Sequence, residues 1–111
     1  MSLPYNLIQD LTTALEIPKD GTLSRTIYQD EQIKAVLFGF DAGQELSEHT
    51  ASVPAVLQII SGQASITLGS ETLALEPGAW VHMEAKLSHS IRATTPLVML
   101  LVMLKTGSSK T

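Results

Sequence analysis

His49, His82 and His89 are the only histidines of this chain of 111 residues, and they carry most of its potential for chemistry. A neutral imidazole offers one nitrogen lone pair and suits zinc, copper, iron and nickel. Two of the three are expected to face each other. Ala79-Trp80-Val81-His82-Met83 reads as a strand, as does Ser88-His89-Ser90-Ile91-Arg92, and Glu84-Ala85-Lys86-Leu87 has the length of a hairpin loop. With Met83 opposite Ser88, His82 stands across from His89, where directly paired residues hold their Cβ atoms about 4.5–5.5 Å apart. A third nitrogen from His49 would complete a histidine-only centre for a divalent transition metal.

The same register puts Trp80 beside that pair, opposite Ile91. Trp80, Met83 and Gln58, a polar residue interrupting an apolar strand, are therefore the candidates for a substrate pocket. Glu84 shares the face of Trp80 and His82 and is a candidate carboxylate ligand or base, although a solvated loop residue is the plainer account. Two of the histidines also have plainer accounts, as a rim residue beside Glu48 for His49 and as a core residue bonded to a carbonyl for His82. No serine follows the G-x-S-x-G pattern of a nucleophile elbow. No glycine-rich loop is arranged to cradle a phosphate.

The elements that must position these residues are strands. The chain is long enough for one domain and one core, with an ordinary apolar content of 44%. It contains no cysteine, which excludes disulfides, thiolate metal sites and cysteine nucleophiles. The start, Met1-Ser2-Leu3-Pro4-Tyr5, has neither the basic nor the apolar region of a secretory signal, so a cytoplasmic location is expected. The longest apolar run, Leu97 to Leu104, is far shorter than the roughly 20 residues of a membrane helix. Net charge is −4 with scattered basic residues, which argues against nucleic acid as a partner.

Leu7, Leu11 and Leu15 recur at helical spacing after Asn6, a potential cap, so a short helix is expected from Asn6 to Leu15 within an N-terminal arm over residues 1–21 that ends in the turn residues Pro18-Lys19-Asp20-Gly21. From Thr22 the period becomes two. Strands are expected at 22–28, 33–40, 53–60, 64–68, 72–75, 79–83, 88–93 and 97–104, separated by Gly43, Gly62, Gly69, Pro77-Gly78 and Pro96. That spacing predicts an all-β sandwich or barrel over residues 22–105, followed by a disordered tail over 106–111. A type II′ turn at Gly69-Ser70 would pair Thr67 with Thr72 and Ser65 with Ala74 on a polar face, and Ile66 with Leu73 and Ala64 with Leu75 on an apolar one.

The stretch from Gly43 to Leu104 resembles the cupin superfamily. The first motif of that family, G-x5-H-x-H-x3–4-E-x6-G, is matched by Gly43, His49 and Gly62, with Ala51 and Ala55 where the second histidine and the glutamate stand. The second, G-x5-P-x-G-x2-H-x3-N, is matched by Gly78 and His89, with Glu84, Lys86 and Ala93 at the proline, glycine and asparagine positions. The resemblance implies a double-stranded β-helix, a jelly-roll barrel with its metal or ligand inside. It carries over His49 and His89 as ligands; His82 is not a motif position and rests on the hairpin register. Two functions follow. One is a metal-dependent enzyme, dioxygenase- or isomerase-like, using Zn, Fe, Ni, Mn or Cu on a small organic molecule. The other is a non-catalytic module that binds or senses a small ligand, with metal optional. A metal-free scaffold ranks behind both. Surplus apolar strands, the arm and the family's habit of pairing also predict a homodimer.

Overall fold

The computed structural model describes residues 3–105; the expected tail over 106–111 lies outside them. The arm is not the expected helix. It holds a single 3-10 turn, Leu11–Thr13, capped by the Asp10 carboxylate, which accepts from the Thr12 amide at 3.0 Å. Two β-branched threonines in succession and a local side-chain cap favour a turn over helix propagation. Asn6 does not cap; its side-chain amide donates to the Ile27 carbonyl at 2.8 Å and ties the arm to the barrel.

Nine strands follow: β1 (Thr22–Gln29), β2 (Ile33–Phe40), β3 (Glu45–His49), β4 (Ala55–Ser61), β5 (Ala64–Leu68), β6 (Glu71–Leu75), β7 (Trp80–Met83), β8 (His89–Ala93) and β9 (Leu97–Leu104). They form a five-stranded sheet, β1-β2-β9-β4-β7, and a four-stranded sheet, β3-β8-β5-β6, with all neighbours antiparallel. The inner faces meet in one apolar core that includes Phe40, Leu57, Ile59, Ile66, Ile91, Leu97 and Met99. This is the jelly-roll barrel. Doubling the sheet hides the apolar face of each strand set against the other.

The Gly69-Ser70 hairpin pairs in the expected register, Ala64 with Leu75 through Thr67 with Thr72, and the two threonine hydroxyls meet at 3.0 Å. Ile66 is fully buried, but its partner Leu73 remains 44% exposed because β6 is the outermost strand of its sheet.

The apolar run of β9 is continuous because both of its faces are covered. Leu97 and Met99 enter the core. Val98 faces out, yet is only 2% exposed. Over that outer face the arm folds back. A Cβ added to Gly39 would lie 2.5 Å from Leu15 Cδ1 and 3.2 Å from Ile17 Cγ1. The Arg25 guanidinium holds the arm there by donating to the Ala14 carbonyl.

The barrel has two unlike ends. One is closed by Gly43, Gly62 and Gly78, all at positive φ, where the Gly43 amide donates to Ala93 O at 2.8 Å and the Gly78 amide to Ile59 O at 2.9 Å. The other is the mouth. There β3 ends at His49, β4 begins at Ala55, β7 ends at Met83 and β8 begins at His89. The connections 50–54 and 84–88 are tied together by the Lys86 amide, which donates to Ala51 O at 2.7 Å.

Candidate functional site

The expected hairpin between β7 and β8 does not form. β7 pairs with β4 in the five-stranded sheet, and the 84–88 connection crosses to the other sheet, where β8 lies between β3 and β5. A loop that could have closed a hairpin is a sheet-to-sheet crossing, because β8 buries Ile91 and Ala93 against β3 and β5 instead.

The histidine that His89 faces is His49. The two are direct strand partners, with ring centroids 4.3 Å apart and planes inclined at 60°. A bulge makes this possible. Leu46 pairs with Ile91 and His49 with His89, so three steps on β3 oppose two on β8. Since Ile91 and His89 lie two apart on one strand, they share the inner face, and their partners Leu46 and His49 must share it too. Without the extra residue, His49 would point away from the barrel. Bulges re-aim side chains in this way.

His89 is 9% exposed and is flanked on β5 by its partner Leu68, whereas His49 is exposed at the rim. Each ring is fixed by its own strand. His49 Nδ1 lies 2.9 Å from Ser47 O and His89 Nδ1 lies 2.9 Å from Leu87 O. A carbonyl only accepts, so both Nδ1 atoms carry the hydrogen and both Nε2 atoms of the neutral rings keep a free lone pair. The Glu48 carboxylate accepts from the Ser88 hydroxyl, which links β3 to the residue before β8. Met83, 2% exposed and paired with Ala55, faces the interior at the same end.

His82, Trp80 and Gln58 are placed elsewhere. Val56 pairs with His82 and Gln58 with Trp80, whereas the inward residues of β4 are Ala55, Leu57 and Ile59. All three candidates therefore lie on the outer face of the five-stranded sheet, with Trp80 62% exposed. Glu84 is exposed on the mouth connection, where His82, Glu84, Ala85, Lys86 and Leu87 line a shallow cleft of ≈ 370 Å³. Lys86 adopts φ +72°, the left-handed conformation suited to glycine, at the position where the cupin motif has one.

A three-histidine centre does not fit this geometry. Among the described residues, no group of three or more His, Cys, Asp or Glu side chains is placed to share an ion. His49 and His89 offer two nitrogens, and their Nδ1–carbonyl bonds are of the kind that orient metal-ligating imidazoles. β3 was absent from the expected strands, because Glu45-Leu46-Ser47-Glu48-His49 holds one apolar residue and no sustained alternation. The spacing from Gly43 to His49 was the signal that pointed to it. Leu46 and Leu68, which adjoin the pair, carried no such signal.

The model of the family described as "Cupin domain" matches residues 36–103, and the chain belongs to that family. It is similar to a conserved Streptococcus pyogenes protein of unknown function, with 34% identity over 97% of this chain and 98% of that one and a TM-score of 0.85. A cupin superfamily protein from Desulfitobacterium hafniense is 25% identical over 92% and 94% of the two chains, with a TM-score of 0.83. The salicylate 1,2-dioxygenase of Pseudoaminobacter salicylatoxidans shares the fold at 18% identity and a TM-score of 0.70, over 75% of this chain and 25% of that one. No curated protein matches the chain.

Proposed function

We propose that this cupin binds a small polar organic molecule at the barrel mouth, with His49 and His89 as its recognition pair and Met83 as part of the apolar wall. The observation that carries this reading is the pair itself: two imidazoles 4.3 Å apart, each with Nδ1 committed to its own strand. Two adjacent Nε2 acceptors complement a ligand that presents two donors, such as neighbouring hydroxyl or amino groups. A few placed polar groups in an apolar surround are the usual composition of a small-molecule site. Among the described residues no third His, Cys, Asp or Glu joins the pair to complete a metal centre, which favours binding or sensing over metal-dependent catalysis.

A second reading is favoured by the carbonyl bonds to both Nδ1 atoms. His49 and His89 would hold a divalent transition metal, with the remaining positions filled by the ligand or by water. Bound there, the ion would act as a Lewis acid toward the ligand. Self-association as a homodimer belongs to either reading.

The test is a thermal-shift screen of polyols, amino alcohols and small hydroxy acids. A ligand at a hundred times its Kd stabilises the fold by about 2.7 kcal/mol. That shift should vanish in His49→Ala and His89→Ala and persist in His82→Ala. Shifts that survive both mouth substitutions place the ligand elsewhere and remove the reading. Stoichiometric metal in protein purified without an affinity tag, lost in those same two variants, would install the second reading in its place.

A further inference from the structure

The two imidazoles at the mouth are carried by matching tripeptides. In Ser47-Glu48-His49 the carbonyl of the first residue lies 2.9 Å from Nδ1 of the third, and Leu87-Ser88-His89 repeats that contact at 2.9 Å. These bonds fix each ring to its own strand. They do not fix one ring to the other. The middle residues supply that link, because the Ser88 hydroxyl donates to the Glu48 carboxylate from one strand to the other.

The link falls where the backbone ladder is broken. β3 is an outermost strand, with β8 its only neighbour. Its pairing runs from Glu45 with Arg92 to Leu46 with Ile91, breaks at the bulge, and resumes only at its last residue, His49 with His89. A bulge leaves its extra residue out of the ladder. β8, by contrast, is paired on both sides, with β3 and with β5. Burial divides the two rings in the same way, His89 at 9% exposure and His49 exposed. His49 is therefore the ring with room to swing. Beyond it the next tie, from the Lys86 amide to Ala51 O, joins the two connections rather than the strands.

Glu48 is exposed and Ser88 half-buried. Water can replace either partner of such a bond, so its net contribution to folding is modest. Its geometric contribution is larger. A carboxylate acceptor makes a bond roughly twice as strong as a neutral one, and this one spans the interrupted stretch of the ladder. Resting on the reading of His49 and His89 as a recognition pair, we infer that Glu48 and Ser88 are its positioning residues. Their bond bridges the bulge and holds His49 against the better-anchored His89. That sets the spacing of the two Nε2 acceptors, and the spacing restricts the site to ligands whose two donors are neighbours.

The experiment is proton NMR of the full chain with no ligand added, at about pH 8, above the ordinary imidazole value near 6.5. Three histidines give a ring spectrum that single His→Ala variants assign. The parent should show a nuclear Overhauser effect between the rings of His49 and His89, whose centroids are 4.3 Å apart. Ser88→Ala and Glu48→Ala should each lose it and shift the His49 signals, leaving the His82 signals and the β circular dichroism unchanged. Ser88→Thr and Glu48→Gln, which keep a hydroxyl donor and a carbonyl acceptor, should retain it. Alanine variants that keep the ring contact overturn the inference. Conservative variants that lose it along with the alanine ones overturn it too, because the contact would then follow any change at these positions instead of the bond. A parent without the ring contact removes the pair and this inference together. An empty ligand screen, in contrast, removes the recognition reading and leaves the positioning result standing.

Discussion

The closed end and the mouth of this barrel treat the cupin motif differently. At the closed end the motif glycines Gly43, Gly62 and Gly78 are all present, and all have positive φ, between 85° and 96°. At the mouth, the motif keeps His49 and His89, while Ala51, Ala55, Glu84 and Lys86 stand where the family has ligands or turn residues. The closed end is constrained by backbone geometry, which any function on this fold needs. The mouth is constrained by chemistry, which a change of function can rewrite. Gly62 makes the point most directly. A Cβ there would fall 2.0 Å from Pro96 O and 2.9 Å from Leu97 Cα, so no side chain of any kind fits.

The largest effect should come from Gly62→Ala, which combines that backbone collision with positive φ. A loss of about 4 kcal/mol or more is expected, at the exceptional end for single substitutions. Gly43→Ala at φ +86° meets nothing within 4 Å. It should therefore cost only the left-handed penalty of about 1–2 kcal/mol. Urea unfolding of the two variants measures the difference, and equal losses would show that strain rather than close approach governs Gly62.

Next in size is the contrast between inward and outward candidates near the mouth. Met83→Ala removes a side chain that is 2% exposed. It should cost about 2–4 kcal/mol through the cavity it leaves. Gln58→Ala, on the outer face, should stay within about 0.5 kcal/mol. Comparable losses in chemical denaturation would contradict the assignment of faces.

A smaller effect of opposite sign is expected at Lys86. Lys86→Gly relieves φ +72°, offset in part by the greater freedom of glycine in the unfolded chain. The net gain should be about 0.5–1 kcal/mol, read as a rise in Tm of a few degrees. An unchanged or lowered Tm would mean that the lysine side chain contributes more to the mouth than its backbone costs.

The smallest effects concern pH and fall at both ends. Asp41 accepts from the Asp20 amide at 2.7 Å and the Ala42 amide at 2.9 Å, near the closed end. Asp30 accepts from the Ile33 and Gln32 amides and from the Tyr28 hydroxyl, near the mouth. The backbone amides hold both carboxyls below the ordinary value of 3.8. A carboxyl whose pKa is lower folded than unfolded contributes stability that is complete above the unfolded value and lost as pH falls through the folded one. Tm should therefore drop as pH falls below about 4, the ordinary carboxylate range. Asp30→Asn and Asp41→Asn should each flatten that drop; profiles identical to the parent's would deny the two turns this role. The same bond from the Tyr28 hydroxyl to Asp30 raises the tyrosine above its usual range.

Legibility in the sequence followed the range of the interaction. The β5–β6 hairpin was readable to the residue, because a two-residue turn fixes its register and Thr, Ser, Ile and Leu sort to opposite faces. The helical spacing of Leu7, Leu11 and Leu15 misled, since the leucine repeat says nothing about the local competition from Asp10 and two threonines. The hairpin register paired His82 with His89, the nearest histidines in sequence, and that pairing does not form; His89 meets His49 instead, because β3 and β8 come together across about forty intervening residues.

The sequence by itself determined the period-two strands, the turns that separate them, the glycines that only left-handed backbone can use, and the resemblance that named the barrel. These are local properties, written in neighbouring residues and in the sterics of φ and ψ. The tertiary structure alone decided that the 84–88 connection crosses between sheets, that one extra residue on β3 turns His49 inward, and that Trp80 and His82 face out. Those outcomes depend on which apolar faces bury one another over long separations. A strand's own alternation identifies its apolar face without identifying the face that will cover it.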